Sequence, residues 1–228
     1  RGVHIPKSID NDLPLPDGVN TFGFDTAAQT GAKILSTFVG DFSSSPRRVL
    51  LVSTMGRGAG FLALEIVRKA RRHWTRIMRD LGREVHPPFV LIPEMFEPDL
   101  ELERLLGTLT AIVVRIQEIR SEARAFVPPV VVVAEGVFER LTPQSRSSFM
   151  DRLSHDEAGN IELAEVALGH ALARQLGPCL QRLGIDVKLR GEGIAYAVRT
   201  ALPLSLVDRV YTNRLGRAAA DYLAAGGS

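Results

Sequence analysis

Val130-Val131-Val132-Val133-Ala134-Glu135-Gly136 is the stretch that decides the fold. Four consecutive β-branched residues carry no polar alternation. A strand of that kind must be covered on both faces, which is the habit of parallel sheets flanked by helices. Working outward, Arg48–Ser53 (RVLLVS) is a second unbroken apolar run, Phe89–Ile92 a third, and Asp186–Leu189 a short fourth. Between them lie stretches of helical period. One follows Asp25-Thr26, either of which can cap it, and runs to about Val39. Another runs from Phe61 to about Arg72, with Leu62, Ala63, Ile66, Val67 and Ala70 on one face. Further helices are expected over about 100–125, 162–175 and 208–224. Arg1–Ile5 reads as the end of a strand, Pro6–Asn20 as loop, Ser43–Pro46 as a break, and 151–160 as a polar segment; Gly226-Gly227 closes the last helix. Strands alternating with helices predict an α/β fold with mainly parallel sheets and helices on both faces.

Composition narrows the function more than it defines it. With 228 residues, 45% of them hydrophobic, the chain can bury a sizeable core. A net charge of +2 with 24% charged residues is too balanced to point to nucleic acid or an anionic membrane. Arg68, Lys69, Arg71 and Arg72 lie on the polar face of an amphipathic helix with no aromatic platform beside them. No apolar run approaches the ~20 residues that a spanning helix needs. The single cysteine, Cys179, cannot close an internal disulfide, so a reducing cytoplasm is the default compartment. His4, His73, His86, His155 and His170 show no metal-ligand spacing.

In a parallel α/β sheet, ligands sit beyond the carboxyl ends of the strands. Those ends here carry Ser8, Asp10 and Asp12; Met55-Gly56-Arg57; Pro93-Glu94; and Glu135-Gly136. In an extended chain Ser8, Asp10 and Asp12 point the same way. Two close carboxylates repel and call for a metal, a cation or a shared proton. With Lys7 beside them they could supply a base, a magnesium-orienting carboxylate and a positive charge for phosphoryl transfer. From the heptapeptide alone, a solvated acidic turn fits at least as well. Met55-Gly56-Arg57 leaves a strand and opens a helix, where glycine admits a ligand to the backbone and arginine offers a fork of donors. An ordinary strand-to-helix turn fits equally. Glu135 could accept sugar hydroxyls or be a salt-bridged cap. Arg48, Arg190 and Arg199 are single arginines at element boundaries, which only convergence would turn into a phosphate clamp.

Taken together and in order, these segments resemble the phosphofructokinase family. PKSIDNDL (Pro6–Leu13) resembles its PKTIDND signature, and TFGFDTA (Thr21–Ala27) follows in place. MGRGAGFLALE (Met55–Glu65) and VVVVAEG (Val130–Gly136) resemble its sugar-binding loops. Tyr196-x-x-Arg199, followed by Asp208-Arg209, resembles its (His/Tyr)-x-x-Arg phosphate motif. The resemblance implies that Asp10 is the base for the 1-hydroxyl of fructose 6-phosphate, and that Asp12 helps to organise Mg2+. Ser8, in place of threonine, together with Met55, Gly56, Arg57 and Glu135, would hold the sugar. Tyr196 and Arg199 would bind the 6-phosphate. Arg48 and Arg190 would reach the 6-phosphate of a neighbouring subunit, implying a homo-oligomer.

Lys7 sits where, in this family, lysine accompanies pyrophosphate as donor and glycine accompanies ATP. Pyrophosphate has no adenosine to anchor it, so added positive charge near its phosphates is physically apt. The resemblance further implies three parts: residues 1–22, the end of a donor-binding domain carrying the catalytic loop; 23–197, the fructose 6-phosphate domain; and 198–228, a return segment. A Gly-rich donor loop and the principal metal ligand are expected upstream of Arg1. The expected reaction is pyrophosphate-dependent phosphorylation of fructose 6-phosphate. The alternatives are the ATP-dependent reaction, and a non-catalytic sugar-phosphate-binding subunit or inactive fragment.

Overall fold

The computed structural model describes residues 2–5, 7–45, 47–86, 89–121, 125–149 and 153–226. In chain order the helices and strands are α1 (Phe24–Phe42), β1 (Arg48–Thr54), α2 (Phe61–Asp80), β2 (Glu84–Val85), β3 (Phe89–Val90), α3 (Leu102–Ser121), β4 (Ala125–Phe126), β5 (Val130–Ala134), α4 (Val137–Arg140), α5 (Pro143–Ser147), α6 (Leu168–Arg182), β6 (Lys188–Gly193), α7 (Ala195–Arg199) and α8 (Leu206–Ala224). Four strands form one parallel sheet in the order β3-β5-β1-β6; β2 and β4 form a separate parallel pair.

Every residue of β5, and every residue of β1 after Arg48, is buried. Burial without alternation requires cover on both faces, as the valine run implies. α1 and α2 pack together and against β1 and β5; α6 packs on β1 and β6, with α3 beside it. The approach of α6 is close because both residues at the contact are glycines. A Cβ at Gly191 of β6 would lie 2.2 Å from the Gly169 carbonyl oxygen.

The register fixes where the strands end. Thr54 stands opposite Ala134, and Ser53 opposite Gly193. The Glu135 N–H donates to the Thr54 carbonyl at 2.8 Å, and the Ile194 N–H to the Ser53 carbonyl at 2.9 Å. Met55, Glu135 and Ile194 therefore leave the sheet at one edge. From β1 the chain crosses past β5 to β3; from β5 it crosses past β1 to β6. Neighbouring strands whose connections leave in opposite directions open a crevice between their carboxyl ends.

The expected α/β architecture is present, with local differences. Residues 2–5 form no strand and are exposed; no paired strand lies beside them among the described residues. α2 continues past Arg72 to Asp80, because Met78 prolongs its buried face. β3 stops at Val90, since Pro93 opens a 3-10 turn and removes a ladder donor. The helix expected from about 162 begins as a 3-10 turn at Leu163–Val166 and restarts as α6 after Ala167, which sits at φ 46°. The strand expected over 186–189 forms at Lys188–Gly193. Arg1, Pro6, Pro46, residues 122–124 of the expected third helix, residues 151–152 of the polar segment, and Gly227 lie outside the described residues.

Neither Asp25 nor Thr26 caps α1. The cap comes from 182 residues along the chain. The buried Asp208 carboxylate accepts the N–H of Gly23 at 2.9 Å, the N–H of Thr26 at 2.7 Å, and the Thr26 hydroxyl. Asp208 also stands in the first turn of α8, where its N–H donates to Ser205 Oγ at 3.1 Å. One carboxylate thus ties together the N-termini of α1 and α8. Ser205-x-x-Asp208 is a capping-box pattern in the sequence, but its second partner is long-range and carries no local signal.

Candidate active site

The carboxyl ends of the strands open on a cleft of about 370 Å³, lined by Asp10, Met55, Arg57, Glu135, Tyr196 and Arg199, with Asp156, Glu162, Leu163, Ala164 and Ala195 completing the wall. Six sequence-selected residues thus come from four separate segments into one volume. β1 delivers Met55 and Arg57, β5 delivers Glu135, and the short helix α7 after β6 delivers Tyr196 and Arg199. Asp10 arrives on the loop before α1.

That loop is not extended as the sequence suggests. Asn11 turns it at φ 59°, a conformation that asparagine tolerates better than most residues. The Asn11 side chain holds the turn, accepting the Thr21 N–H at 2.8 Å and donating to Asn20 Oδ1 at 3.2 Å. Ser8, Asp10 and Asp12 therefore do not line the cleft together. Ser8 Oγ accepts the Asp10 N–H at 3.1 Å and donates to the exposed Asp12 carboxylate. Asp10 alone turns into the cleft. Its Oδ1 is buried and has no hydrogen-bond partner among the described residues.

Lys7 lies outside this cleft. It lines an adjoining one of about 280 Å³, together with Phe22, Gly23 and Arg199, and its ammonium sits 5.8 Å from the centroid of the Phe22 ring. Arg199 borders both clefts. Gly56 is buried and contributes backbone: its carbonyl accepts the Gly136 N–H at 3.1 Å. Arg48 opens β1 at the end of the strand remote from Thr54, roughly 20 Å away at strand spacing. Arg190 is exposed and paired with Glu192 at 3.4 Å. Neither arginine lines the cleft of its own chain.

Electrostatics mark two carboxylates. Burial, reinforced by the charge of Asp12, raises Asp10 above the ordinary aspartate range, while the Arg57 backbone N–H, Arg199 and the Arg57 guanidinium oppose the rise. Burial, with Asp10 adding repulsion, pushes Glu135 up to about 7 from an ordinary 4.5. Asp156 moves the other way, because it accepts hydrogen bonds from the backbone and side chain of Asn160.

A testable consequence concerns stability. The folded chain holds the Glu135 proton more tightly than the unfolded chain does. The resulting stabilisation is complete below 4.5 and is lost as the pH rises through about 7. Glu135→Gln removes this titration. Denaturant midpoints measured from about pH 5 to about pH 8 should fall less steeply for the variant than for the wild type. Parallel profiles would contradict the assignment.

Chemically the cleft combines carboxylates able to take protons or hydroxyl hydrogen bonds with guanidinium groups able to hold oxyanions, at the strand ends of a parallel α/β sheet. That combination suits a polyhydroxylated, phosphate-bearing ligand. Sequence reasoning missed Asp156, Glu162, Leu163, Ala164 and Ala195. Asp156-x-x-Gly159-Asn160 is a visible turn signal, but nothing local says that the turn folds over the cleft.

Comparison with known proteins agrees with the geometry. The family model described as Phosphofructokinase matches residues 1–223. The pyrophosphate–fructose 6-phosphate 1-phosphotransferase of Naegleria fowleri is 32% identical over 227 residues, covering 99% of this chain and 49% of the relative. The ATP-dependent 6-phosphofructokinase of Amycolatopsis methanolica is 30% identical over 225 residues, 98% of this chain and 42% of that protein. Among solved structures, a pyrophosphate-dependent phosphofructokinase from Marinobacter aquaeolei superposes with a TM-score of 0.61 at 24% identity, over 98% of this chain and 44% of that one. The chain belongs to the phosphofructokinase family. It spans about half the length of the curated relatives it matches, and relatives named for either donor match at similar identity. No helix among the described residues is long and apolar enough to cross a membrane.

Proposed function

We propose that the cleft binds fructose 6-phosphate, and that the full-length protein transfers a phosphoryl group from pyrophosphate to its 1-hydroxyl, giving fructose 1,6-bisphosphate and phosphate. The observation that supports this reading best is Asp10: a desolvated carboxylate, one oxygen of which is buried without a hydrogen-bond partner among the described residues, that lines a cleft with Met55, Arg57, Glu135, Tyr196 and Arg199. In the proposed reaction Asp10 accepts the 1-hydroxyl proton as that oxygen attacks the donor phosphorus. Desolvation makes Asp10 a better base than a solvated aspartate. Glu135 takes sugar hydroxyls, while Met55 and the Gly56 backbone bound the ring. Tyr196 and Arg199 hold the 6-phosphate, while Arg57 meets the bound sugar phosphate and balances charge near the transferring group.

Ser8 shapes the loop through the Asp10 N–H and Asp12. Arg48 and Arg190, remote from their own cleft, would serve the 6-phosphate of a neighbouring subunit in a homo-oligomer. Asp12 is an exposed hard-oxygen ligand, which fits Mg2+ held by one or two carboxylates and substrate phosphates. Among the described residues no group of three or more potential ligands surrounds it. Mg2+ bound there would neutralise donor charge.

Lys7 favours pyrophosphate. Its cleft adjoins the sugar cleft through Arg199, so two phosphate-bearing ligands could meet across that residue. Assay of the full-length protein with each donor tests the assignment: turnover with ATP and none with pyrophosphate would overturn it. In the pyrophosphate reaction Lys7→Gly should lower turnover by about 10²-fold, with the KM for fructose 6-phosphate unchanged. An unaltered rate would remove Lys7 from the mechanism.

A further inference from the structure

Arg57 is gripped from two sides. Its Nη1 forms an ion pair with Glu139, and its Nη2 donates to the Ile161 carbonyl at 2.7 Å. A guanidinium has five N–H groups, so three remain for the cleft that Arg57 lines. We infer that Glu139 is a positioning residue for Arg57. It fixes the guanidinium, together with the Ile161 carbonyl, so that the free N–H groups meet the oxyanion of a phosphate-bearing ligand.

The fold builds each support separately. Glu139 stands in the short turn α4, three residues after Gly136. A Cβ at Gly136 would lie 2.2 Å from the Arg57 carbonyl oxygen and 2.4 Å from that of Gly56. Only a glycine lets the β5 loop come this close to the β1 loop, and that closeness brings Glu139 within reach of Arg57. On the other side, residues 154–162 fold back on themselves. The Asp156 N–H donates to the Asn160 carbonyl at 2.8 Å, and the Glu162 N–H to the Ser154 carbonyl at 2.9 Å. The Asp156 carboxylate takes the N–H groups of Ala158 and Asn160 at 3.0 and 2.8 Å. The Ile161 carbonyl is therefore presented by an ordered turn.

Neither Glu139 nor Arg57 is fully buried; their side chains are 27% and 39% exposed. The pair is screened by solvent, and its charge attraction is modest. Its main effect is to order a long side chain before ligand arrives, so that this entropy is not lost on binding. A counterion that the ligand must displace would act in the opposite sense, and its removal would tighten binding.

The inference rests on the proposal that Arg57 faces a sugar phosphate, and two readouts separate the layers. The first is the ¹⁵N-resolved guanidinium signal of Arg57 in the ligand-free chain, assigned by its loss in Arg57→Lys. Slowly exchanging, resolved Nη resonances are expected in the wild type. Glu139→Gln, which keeps an acceptor, should retain them, and Glu139→Ala should lose them. The second is fructose 6-phosphate affinity by calorimetry. Glu139→Ala should bind about tenfold more weakly, the cost of ordering one long side chain, and Glu139→Gln within about twofold of wild type. Guanidinium signals that depend on Glu139 in a wild type that binds no fructose 6-phosphate would support the positioning role and sink the substrate assignment. Signals unchanged in Glu139→Ala, or affinity equal to or tighter than wild type in that variant, would overturn the positioning role.

Discussion

Asp10→Ala is expected to lower turnover of the full-length protein by about 10²–10⁴-fold, the range a positioned general base supplies, while fructose 6-phosphate affinity stays within about twofold. The asymmetry follows from geometry. Asp10 Oδ1 is buried without a hydrogen-bond partner among the described residues, and the donor that losing the carboxylate frees is the Arg57 backbone N–H. The loop carrying it is held by other groups: Asn11 binds Asn20 and Thr21, and Ser8 binds Asp12. Removing Asp10 also relieves repulsion on Glu135, so stability should not fall. Steady-state kinetics with parallel calorimetry separates the two effects. A variant retaining more than a tenth of wild-type turnover would show that another group takes the proton.

The largest stability effect is expected at Asp208. Asp208→Ala removes the acceptor shared by the Gly23 N–H, the Thr26 N–H and the Thr26 hydroxyl, at a site where Asp208 is 2% exposed. A lost N-cap costs about 1 kcal/mol and each stranded buried donor about 1–3 kcal/mol. The remaining bond from the Ser205 N–H to Thr26 Oγ1, at 2.9 Å, offsets part of this. A net loss of about 3–4 kcal/mol is expected from urea midpoints at constant m. Asp208→Asn should fall in between, since it keeps one acceptor oxygen. A loss below about 1 kcal/mol for Asp208→Ala would mean that α8 does not depend on this anchor. That outcome would be informative, because Asp208 is the only buried residue within α8.

The sequence disclosed the sheet because β1 and β5 are buried on both faces, which forces unbroken apolar runs. It disclosed less of β3 and β6. The first is two residues long, and the second is mostly polar with glycines that admit α6. Asp10, Arg57, Glu135, Tyr196 and Arg199 were legible because each follows or ends a local pattern in a resembling order. The turn at Asn11 was not legible, since a left-handed residue reverses the side-chain alternation of an extended reading. Glu139 was hidden for a different reason. Its partner lies 82 residues away, and only the Gly56–Gly136 contact brings the two together. Asp208 was visible as a cap for its own helix and invisible as a cap for α1.

The cleft at the ends of β1, β5 and β6 is proposed as the fructose 6-phosphate site, and titration of the methyl-labelled chain with fructose 6-phosphate can show whether it is. Met55 lines the cleft, whereas Met78 is buried near the far end of α2. Saturable shifts at the Met55 methyl with Met78 unmoved, abolished by Arg199→Ala, are the predicted result. Binding that leaves Met55 unmoved, or no binding at millimolar sugar phosphate, would contradict it.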